Sequence, residues 1–138
     1  MKDGCTFCGI VQGTAPAELI VETEGALAFV NKKPANPGHM LVIPKAHADD
    51  IWDLTREDGE VVWSLVRRMA TLARQVYDPD GLNLFQANRR AGWPSEFHFH
   101  VHVVPRWEDD ALVPNWAQLV GDPAQVAEMG ERLRAGLA

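Results

Sequence analysis

The sequence predicts a single α+β domain, residues 1–138, in which short antiparallel strands pack against one long helix. With 138 residues, 46% of them hydrophobic and 23% charged, the chain has the size and composition of one globular domain. Short apolar segments with turn-rich connections surround a single long amphipathic segment. Connections this short join antiparallel neighbours, because parallel strands need longer crossovers, so the pattern favours an antiparallel sheet over a doubly wound one.

Five segments carry strand signals. Residues 19–21 and 26–31 are separated by a turn that contains Gly25, and they are predicted to form a hairpin. Residues 39–45 form an apolar strand that follows a turn rich in proline and glycine. Residues 82–86 and the histidine-rich segment 97–107 complete the set.

Two segments are predicted to be helices. The longer one begins at Thr55, which resembles a capping box with Asp58, and residues 78–81 stop it. Its apolar residues recur at spacings of three and four and form one stripe: Val62, Leu65, Val66, Met69, Leu72, Ala73 and Val76. A C-terminal helical extension over about residues 122–137 opens at Asp122 and Pro123. Glycine within this extension weakens the helix, so we expect it to depend on docking.

The histidine-rich segment is the strongest functional signal in the chain. Three of the five histidines, His98, His100 and His102, alternate with apolar residues at the period of a strand. Their side chains are expected on one face, with about 6.6–6.8 Å between successive positions. The core-facing positions are expected to be Phe97, Phe99, Val101 and Val103. Imidazole suits proton transfer, metal ligation and nucleophilic attack near neutral pH, so the row predicts a small-molecule site.

Cys5 and Cys8 have the spacing that lets two thiolates reach one tetrahedral zinc ion. A redox pair has the same spacing, but it is expected at the start of a helix in a βαβ unit, and no such pattern follows here. A structural disulfide is the weaker interpretation in a reducing compartment. Metal ligation is therefore favoured.

The loop before the histidine row, residues 87–96, contains asparagine, arginine, glycine and serine. Beside a row of imidazoles, such a loop is a candidate phosphate cradle. The alternative is an ordinary solvated connection between two strands.

The net charge of −6 argues against a surface that grips nucleic acid, since that binding depends on many lysine and arginine contacts. A small phosphorylated ligand is compatible with the local basic residues. No apolar run is long enough to span a bilayer, and the amino terminus lacks the apolar stretch of a secretion signal. We therefore expect a cytoplasmic protein without nucleic-acid or membrane partners.

The segment His98-Phe-His100-Val-His102-Val-Val, followed by a proline and an arginine, resembles the signature of the histidine triad (HIT) family of nucleotide hydrolases and transferases. The resemblance extends to residues 27–31 and 37–47 and covers about residues 5–107. It implies a HIT-like fold with a five-stranded antiparallel sheet, to which the predicted long helix and C-terminal helix belong. It also implies a homodimer in which two sheets pair.

By this resemblance, His100 is the nucleophile that attacks the α-phosphorus of a nucleotide and forms a nucleotidyl-histidine intermediate. His102 and His39 would stabilise charge on the phosphoryl oxygens and the departing group. Asn31 matches a position that contacts ribose, where the dinucleoside polyphosphate hydrolases carry asparagine, so the resemblance leans toward that branch. The residues that match the base pocket of the family are Phe7, Val11 and Phe29.

The loop departs from the family pattern within residues 92–98. Gln86 falls where relatives place an amide that contacts phosphate, but one extra residue precedes the first histidine of the row. Trp93 and Pro94 replace the expected glutamine. Ser95 keeps the matching distance, so we expect its hydroxyl or N–H to contact the α-phosphate.

Cys5, Cys8, His47 and His98 together match a zinc quartet found in many bacterial relatives. Two thiolates and two imidazoles leave no open position for water, so the resemblance implies a structural zinc ion. This metal would hold the site in place and take no part in the chemistry.

The expected substrate is a nucleotide of the adenosine type, but the leaving group stays open. Hydrolysis of dinucleoside polyphosphates, their phosphorolysis and phosphoramidate cleavage are not separated by the sequence. A second class is a metallohydrolase with catalytic zinc on the strand histidines, which leaves the two cysteines unexplained. A third is a nucleotide-binding protein without turnover, which the intact His100 argues against.

Overall fold

The computed structural model describes residues 1–114 and 120–137. Five antiparallel strands form one sheet: β1 (Leu19–Glu22), β2 (Ala26–Val30), β3 (Met40–Pro44), β4 (Gly81–Phe85) and β5 (Val101–Arg106). Their order in the sheet is β1-β2-β3-β5-β4. The helices are α1 (Thr6–Gln12), α2 (Arg56–Tyr77) and α3 (Pro123–Ala135), and Arg90–Gly92 form one turn of 3₁₀ helix. The predicted α+β class, the five-stranded antiparallel sheet and the two predicted helices are confirmed.

Helix α2 has the ends that its sequence predicts. The Thr55 hydroxyl accepts the N–H of Asp58 at 3.1 Å and satisfies one free donor of the first turn. Asp78 ends the helix in the left-handed conformation, with φ 44°. Its apolar stripe packs on one face of the sheet, except for Val76, which is 63% exposed.

The two faces of the sheet form separate cores. On one face, α2 packs on alternate residues of the central strands, with Ala28, Val42, Val101 and Val103 among them. On the other face, α1 packs on the intervening residues, with Leu27, Phe29, Leu41 and Ile43 among them. Strands β2 and β3 are therefore buried on both sides, which gives the firm base that a positioned site needs.

The histidine segment becomes a strand only at Val101, so the prediction of a strand over residues 97–107 begins too early. The pairing partners end at that point: Val42 of β3 lies opposite Val101, and Phe85 of β4 lies opposite His102. Earlier residues have no ladder partner among the described strands. Phe97 lies in the resulting bend and is 55% exposed, so its predicted place in the core is wrong.

Helices α1 and α3 differ from what the sequence leads one to expect. The cysteine pair begins α1, a seven-residue helix too short to show a periodic stripe, and this helix was not predicted. No side chain of α3 is buried within the described residues, and its apolar residues Val126, Met129 and Leu133 are at least half exposed. None of the described helices is long and apolar enough to cross a membrane.

Candidate active site

The rings of His98, His100 and His102 lie together on the face covered by α1. Phe7 of α1 contacts the first two, with ring centroids 5.8 Å from His98 and 5.3 Å from His100. The His100 and His102 centroids are 5.0 Å apart. Phe99, between His98 and His100, and Val101, between His100 and His102, belong to the opposite core. The alternation therefore gives the shared face that the sequence predicts, although only part of the segment is a strand.

His100 presents one unprotonated ring nitrogen. Its Nδ1 lies 2.7 Å from the carbonyl oxygen of His98. A carbonyl oxygen only accepts hydrogen bonds, so Nδ1 carries the proton and Nε2 keeps its lone pair. Because the ring is 1% exposed and packed by Phe7, it is held in one orientation. This is the tautomer that a nucleophilic imidazole requires.

A chain of hydrogen bonds fixes the opposite tautomer at His102. The backbone N–H of Ala35 donates to Nδ1 of His39 at 2.9 Å, so the His39 proton is on Nε2. That Nε2–H donates to Nδ1 of His102 at 2.8 Å. His102 therefore carries its own proton on Nε2. The ring of His100, with its Nε2 lone pair, and the ring of His102, with its Nε2–H, are therefore neighbours of opposite tautomer, with centroids 5.0 Å apart.

These three rings are neutral at physiological pH. Burial lowers the pKa of His39 and of His100 below the usual 6.5. Burial, together with repulsion from His100 and His39, lowers the pKa of His102 to about 4. The tautomers fixed by the hydrogen bonds are therefore the forms present near pH 7.

Gly38 helps to position His39 for the chain of hydrogen bonds to His102. Its φ is +82°, a region that favours glycine, and a Cβ at this position would lie 2.8 Å from the ring of Tyr77. A larger residue therefore requires a shift of the Tyr77 ring and also meets Pro105 at 3.1 Å. The glycine before the histidine thus reflects a close packing requirement at the start of β3.

Cys5, Cys8, His47 and His98 form a compact group whose ligand atoms all lie within 4.8 Å of one another. The Sγ of Cys5 is 3.4 Å from Nδ1 of His98. The Sγ of Cys8 is 3.3 Å from Nδ1 of His47 and 3.6 Å from that of His98. Usual Zn–S and Zn–N bond lengths in a tetrahedron separate sulfur from nitrogen by about 3.6 Å. The four residues therefore fit a zinc ion, as the sequence predicts.

The two imidazoles of this group turn the same nitrogen toward the cysteines. His98 donates its Nε2–H to the carbonyl of Pro44 at 2.9 Å, and His47 bonds through Nε2 to Asp49 at 2.5 Å. Lys2 in turn donates to Asp49 at 2.9 Å. These outer bonds leave both Nδ1 atoms unprotonated, which is the form that ligates metal.

Backbone hydrogen bonds to both cysteine sulfurs also favour the binding of a cation. The backbone N–H of Lys2 donates to the sulfur of Cys8, and that of Cys8 donates to the sulfur of Cys5. Partial burial raises the pKa of the Cys5 thiol, so a metal must displace its proton on binding. The group is a closed set of four donors, which is typical of structural metal sites.

A cleft of about 810 Å³ opens beside His102, over strands β4 and β5. His39, His102 and Ser95 line it, so the serine predicted to contact phosphate faces the same space as His102, whereas the buried His100 is not among the lining residues. Further walls come from Phe85, Trp93 and residues 112–114. The space is large enough for the phosphate and leaving group of a nucleotide.

The other predicted binding residues lie in three places. Phe7 and Phe29 pack edge to face at 5.5 Å in the α1 core, and Val11 lies against the same cluster. Asn31 lies beside the triad, with Nδ2 3.2 Å from Nε2 of His39. Gln86 instead forms reciprocal amide hydrogen bonds with Asn88. Gln86 is not among the residues that line the cleft.

One ion pair near the site has no signal in the sequence. Arg89 donates to the buried carboxylate of Asp50 at 2.7 Å, and its guanidinium lies 4.6 Å from the ring of Trp52. This pair ties the loop of residues 87–96 to the segment that follows His47. The two charges are 39 positions apart in the chain, and only the fold reveals their contact.

Comparison with known proteins decides the family. A family profile described as the HIT domain matches residues 12–109, more than half of the chain. The chain belongs to the HIT family. This HIT chain is 31% identical over 130 residues to the adenosine 5'-monophosphoramidase hnt1 of Schizosaccharomyces pombe, across 94% of the chain and 95% of that protein.

Solved HIT structures share the fold. A HIT family member from Bacillus subtilis superposes with a TM-score of 0.90 at 29% identity, over 99% of each chain. A zinc-bound histidine triad family protein from Mycobacterium smegmatis gives a TM-score of 0.75 at 34% identity, over 94% of this chain and 97% of that one. The HIT-like fold implied by the histidine motif is confirmed.

Proposed function

We propose that this HIT protein cleaves a phosphoanhydride or phosphoramidate bond at the α-phosphate of an adenosine nucleotide, with His100 as the nucleophile. The observation that carries the proposal is the 2.7 Å bond from Nδ1–H of His100 to the carbonyl of His98. It leaves a lone pair on Nε2 of a neutral, fixed ring whose centroid lies 5.0 Å from that of His102. Attack and charge stabilisation are thereby assigned to two neighbouring imidazoles.

The reaction proceeds in two steps. Nε2 of His100 bonds to phosphorus as the bond to the leaving group breaks; the electron pair leaves with that group, which takes a proton from water. Water then attacks phosphorus, the Nε2–P bond breaks, and the nucleoside monophosphate is released with one proton passed to solvent. In both steps, the His102 N–H and the Ser95 hydroxyl stabilise charge on the phosphoryl oxygens. His39 keeps His102 in the donating tautomer.

The nucleoside is proposed to lie on the α1 side of the triad. Phe7, Val11 and Phe29 provide the apolar wall for the base. The side-chain oxygen of Asn31 accepts the Lys33 N–H at 3.0 Å and retains a second lone pair for a ribose hydroxyl. The name of the Schizosaccharomyces pombe relative, an adenosine 5'-monophosphoramidase, supports adenosine and a P–N bond. The asparagine, through the family resemblance, favours dinucleoside polyphosphates as the second candidate substrate.

Zinc is the proposed structural metal, held by Cys5, Cys8, His47 and His98. The zinc-bound Mycobacterium smegmatis relative supports this choice of ion. When bound, the metal links the amino terminus to the segment that carries His100. The homodimer, the cytoplasmic location, and the lack of nucleic-acid and membrane partners stay predictions from the sequence.

The test is steady-state turnover of an adenosine 5'-phosphoramidate and of diadenosine tetraphosphate, each with and without inorganic phosphate. We expect the wild-type chain to release adenosine monophosphate and His100→Ala to lose at least about 1,000-fold in kcat. Adenosine diphosphate formed only with added phosphate would identify phosphorolysis. Turnover retained by His100→Ala would overturn the proposal, and so would a wild-type chain that binds these nucleotides without cleaving them.

A further inference from the structure

The loop of residues 87–96 carries Ser95, which lines the cleft. The start of this loop is attached to the segment that follows β3. The side-chain oxygen of Asn88 accepts the N–H of Ile51 at 2.8 Å, and it also accepts the amide of Gln86 at 2.8 Å. The path of the chain from this attachment to Ser95 therefore sets where the serine hydroxyl lies.

Arg89, at the start of that path, adopts a backbone conformation that costs free energy. Its φ of 57° and ψ of 166° fall close to a region that is nearly restricted to glycine. Trp93, four residues further on, is also left-handed, with φ 62°. These are two of the three residues other than glycine that have a positive φ within the described residues. Such strain persists only where surrounding contacts enforce it, and it is concentrated at functional sites.

The side chain of Arg89 makes the enforcing contacts. Its Nε donates to Oδ2 of Asp50 at 2.7 Å, and its guanidinium lies 4.6 Å from the centre of the Trp52 ring. The Asp50 side chain is only 5% exposed. Its Oδ1 accepts the backbone N–H groups of Trp52 at 2.9 Å and of Asp53 at 3.1 Å. Because two backbone donors fix the carboxylate, it is a firm anchor for the arginine.

A short turn connects this anchor to Ser95. Arg90–Gly92 form one turn of 3₁₀ helix directly after Arg89, and the N–H of Gly92 donates to the carbonyl of Arg89 at 2.9 Å. Pro94, whose ring restricts φ, immediately precedes the serine. Few backbone dihedrals between Arg89 and Ser95 are free to change, so a displacement of the arginine is expected to displace the serine.

We infer that Arg89 is a positioning residue for the reaction: its ion pair with Asp50 holds the loop in the conformation that presents Ser95 to the phosphoryl oxygens. This inference rests on the proposed function, in which the Ser95 hydroxyl stabilises charge on those oxygens. In this role Arg89 touches no substrate and acts only through the serine. A misplacement of about 1 Å can lower the rate of an enzyme about 100-fold. Loss of the ion pair should therefore lower kcat, and it should have no further effect once the serine hydroxyl is removed.

The test is a double-mutant cycle in kcat for adenosine 5'-phosphoramidate, or for diadenosine tetraphosphate if only that substrate is cleaved. Its members are the wild-type chain, Arg89→Ala, Ser95→Ala and the double variant. Arg90→Ala is the matched control, because it removes the same charge from the same loop and Arg90 forms no ion pair with any described residue. Asp50→Asn breaks the ion pair from the other side and keeps an oxygen for the two backbone donors.

We expect Arg89→Ala and Asp50→Asn each to lower kcat about tenfold, and Arg90→Ala to leave it unchanged. The double variant should have a kcat within about twofold of that of Ser95→Ala alone. Arg89→Gly separates positioning from stability, since glycine fits the backbone conformation but lacks the ion pair. Its Tm should fall less than that of Arg89→Ala, while its kcat falls as much.

Three results overturn this inference alone: wild-type kcat in Arg89→Ala, wild-type kcat in Ser95→Ala, or losses that multiply in the double variant. Losses that multiply would mean that the ion pair acts on the fold and not through the serine. If the wild-type chain cleaves neither adenosine substrate, the proposed function fails and the inference fails with it.

Discussion

The two ends of the histidine row differ in which ring nitrogen is engaged by the surrounding protein. At one end, His98 bonds to the Pro44 carbonyl through Nε2 and turns Nδ1 toward Cys5 and Cys8. At the other end, Nδ1 of His102 accepts a hydrogen bond from His39, so the proton of His102 is on Nε2, and His102 lines the cleft. The partner of the second ring nitrogen therefore decides whether each histidine presents a lone pair, as a metal ligand needs, or an N–H, as a donor to phosphate needs.

We therefore expect changes at His98 to affect mainly the stability of the fold and changes at His102 to affect mainly the rate of turnover. The metal end joins the amino terminus, the segment after β3, and the start of the row, so its loss is expected to loosen the fold. At the cleft end, His102 is outside the metal group, so removal of its ring is expected to reduce the rate with less effect on folding than loss of the metal. Each prediction below tests that separation.

Cys8→Ser is expected to have the largest effect, at the metal end. The variant should lose its zinc and at least about 3 kcal/mol of unfolding free energy, which lowers Tm by about 10 °C for a chain of this size. At a temperature where the variant is folded, kcat should fall less than tenfold. Metal analysis, calorimetry and turnover check these outcomes. Zinc retained in full together with activity would favour a catalytic metal on the strand histidines.

His102→Ala should show the reverse pattern. Removal of one preorganised donor to the phosphoryl oxygens is expected to lower kcat about 100-fold. Zinc content should stay at the wild-type value, and Tm should change much less than in Cys8→Ser. Purified protein assayed for all three properties gives the comparison. A large loss of zinc in His102→Ala would show that the two ends are not independent.

Disruption of the hydrogen-bond chain through His39 should have a smaller effect and lower kcat about tenfold. Ala35→Pro removes the backbone N–H that fixes the His39 tautomer, and Ala35→Gly is the control that keeps it. His39→Ala removes the next link. Since both act on the same proton position at His102, the double variant should be no slower than His39→Ala alone. Additive losses in the double variant would contradict the chain.

The smallest expected effect concerns pH. Because burial lowers the pKa of His100 and of His39, and the pKa of His102 is lowered to about 4, kcat/KM should show no inflection near pH 6.5. The unfolded chain takes up this proton near pH 6.5 and the folded chain only near pH 4. The free energy of unfolding should therefore fall as the pH drops through that window. An activity profile with a step near pH 6.5 would mean that the ring is more exposed than described.

Much of the fold follows from patterns that the sequence displays. The long stripe of α2, its cap at Thr55 and the alternation around His100 all predict real structure, because periodicity records which face is buried. The same alternation extends the predicted strand too far, since it does not reveal where the neighbouring strands end. Helix α1 is too short to show a period.

The sequence predicts many residues of the candidate site, but it does not predict the hydrogen bonds and contacts that join them. The metal group and the row of imidazoles were visible as spacing and as a family motif. The tautomers depend on carbonyl and N–H groups of His98, Pro44 and Ala35, which leave no mark in a sequence. The wall of the cleft at Leu112 comes from a segment far along the chain, and the contact between Arg89 and Asp50 is equally remote. Only the fold brings these partners together.

The most direct test of the central claim is intact-mass analysis of protein mixed with an adenosine 5'-phosphoramidate and quenched within milliseconds. The account predicts a transient adduct of one adenosine monophosphate per chain, mapped by peptide analysis to His100 and absent in His100→Ala. An adduct on His98 or His102 would contradict it, and so would turnover at the wild-type rate without any covalent intermediate.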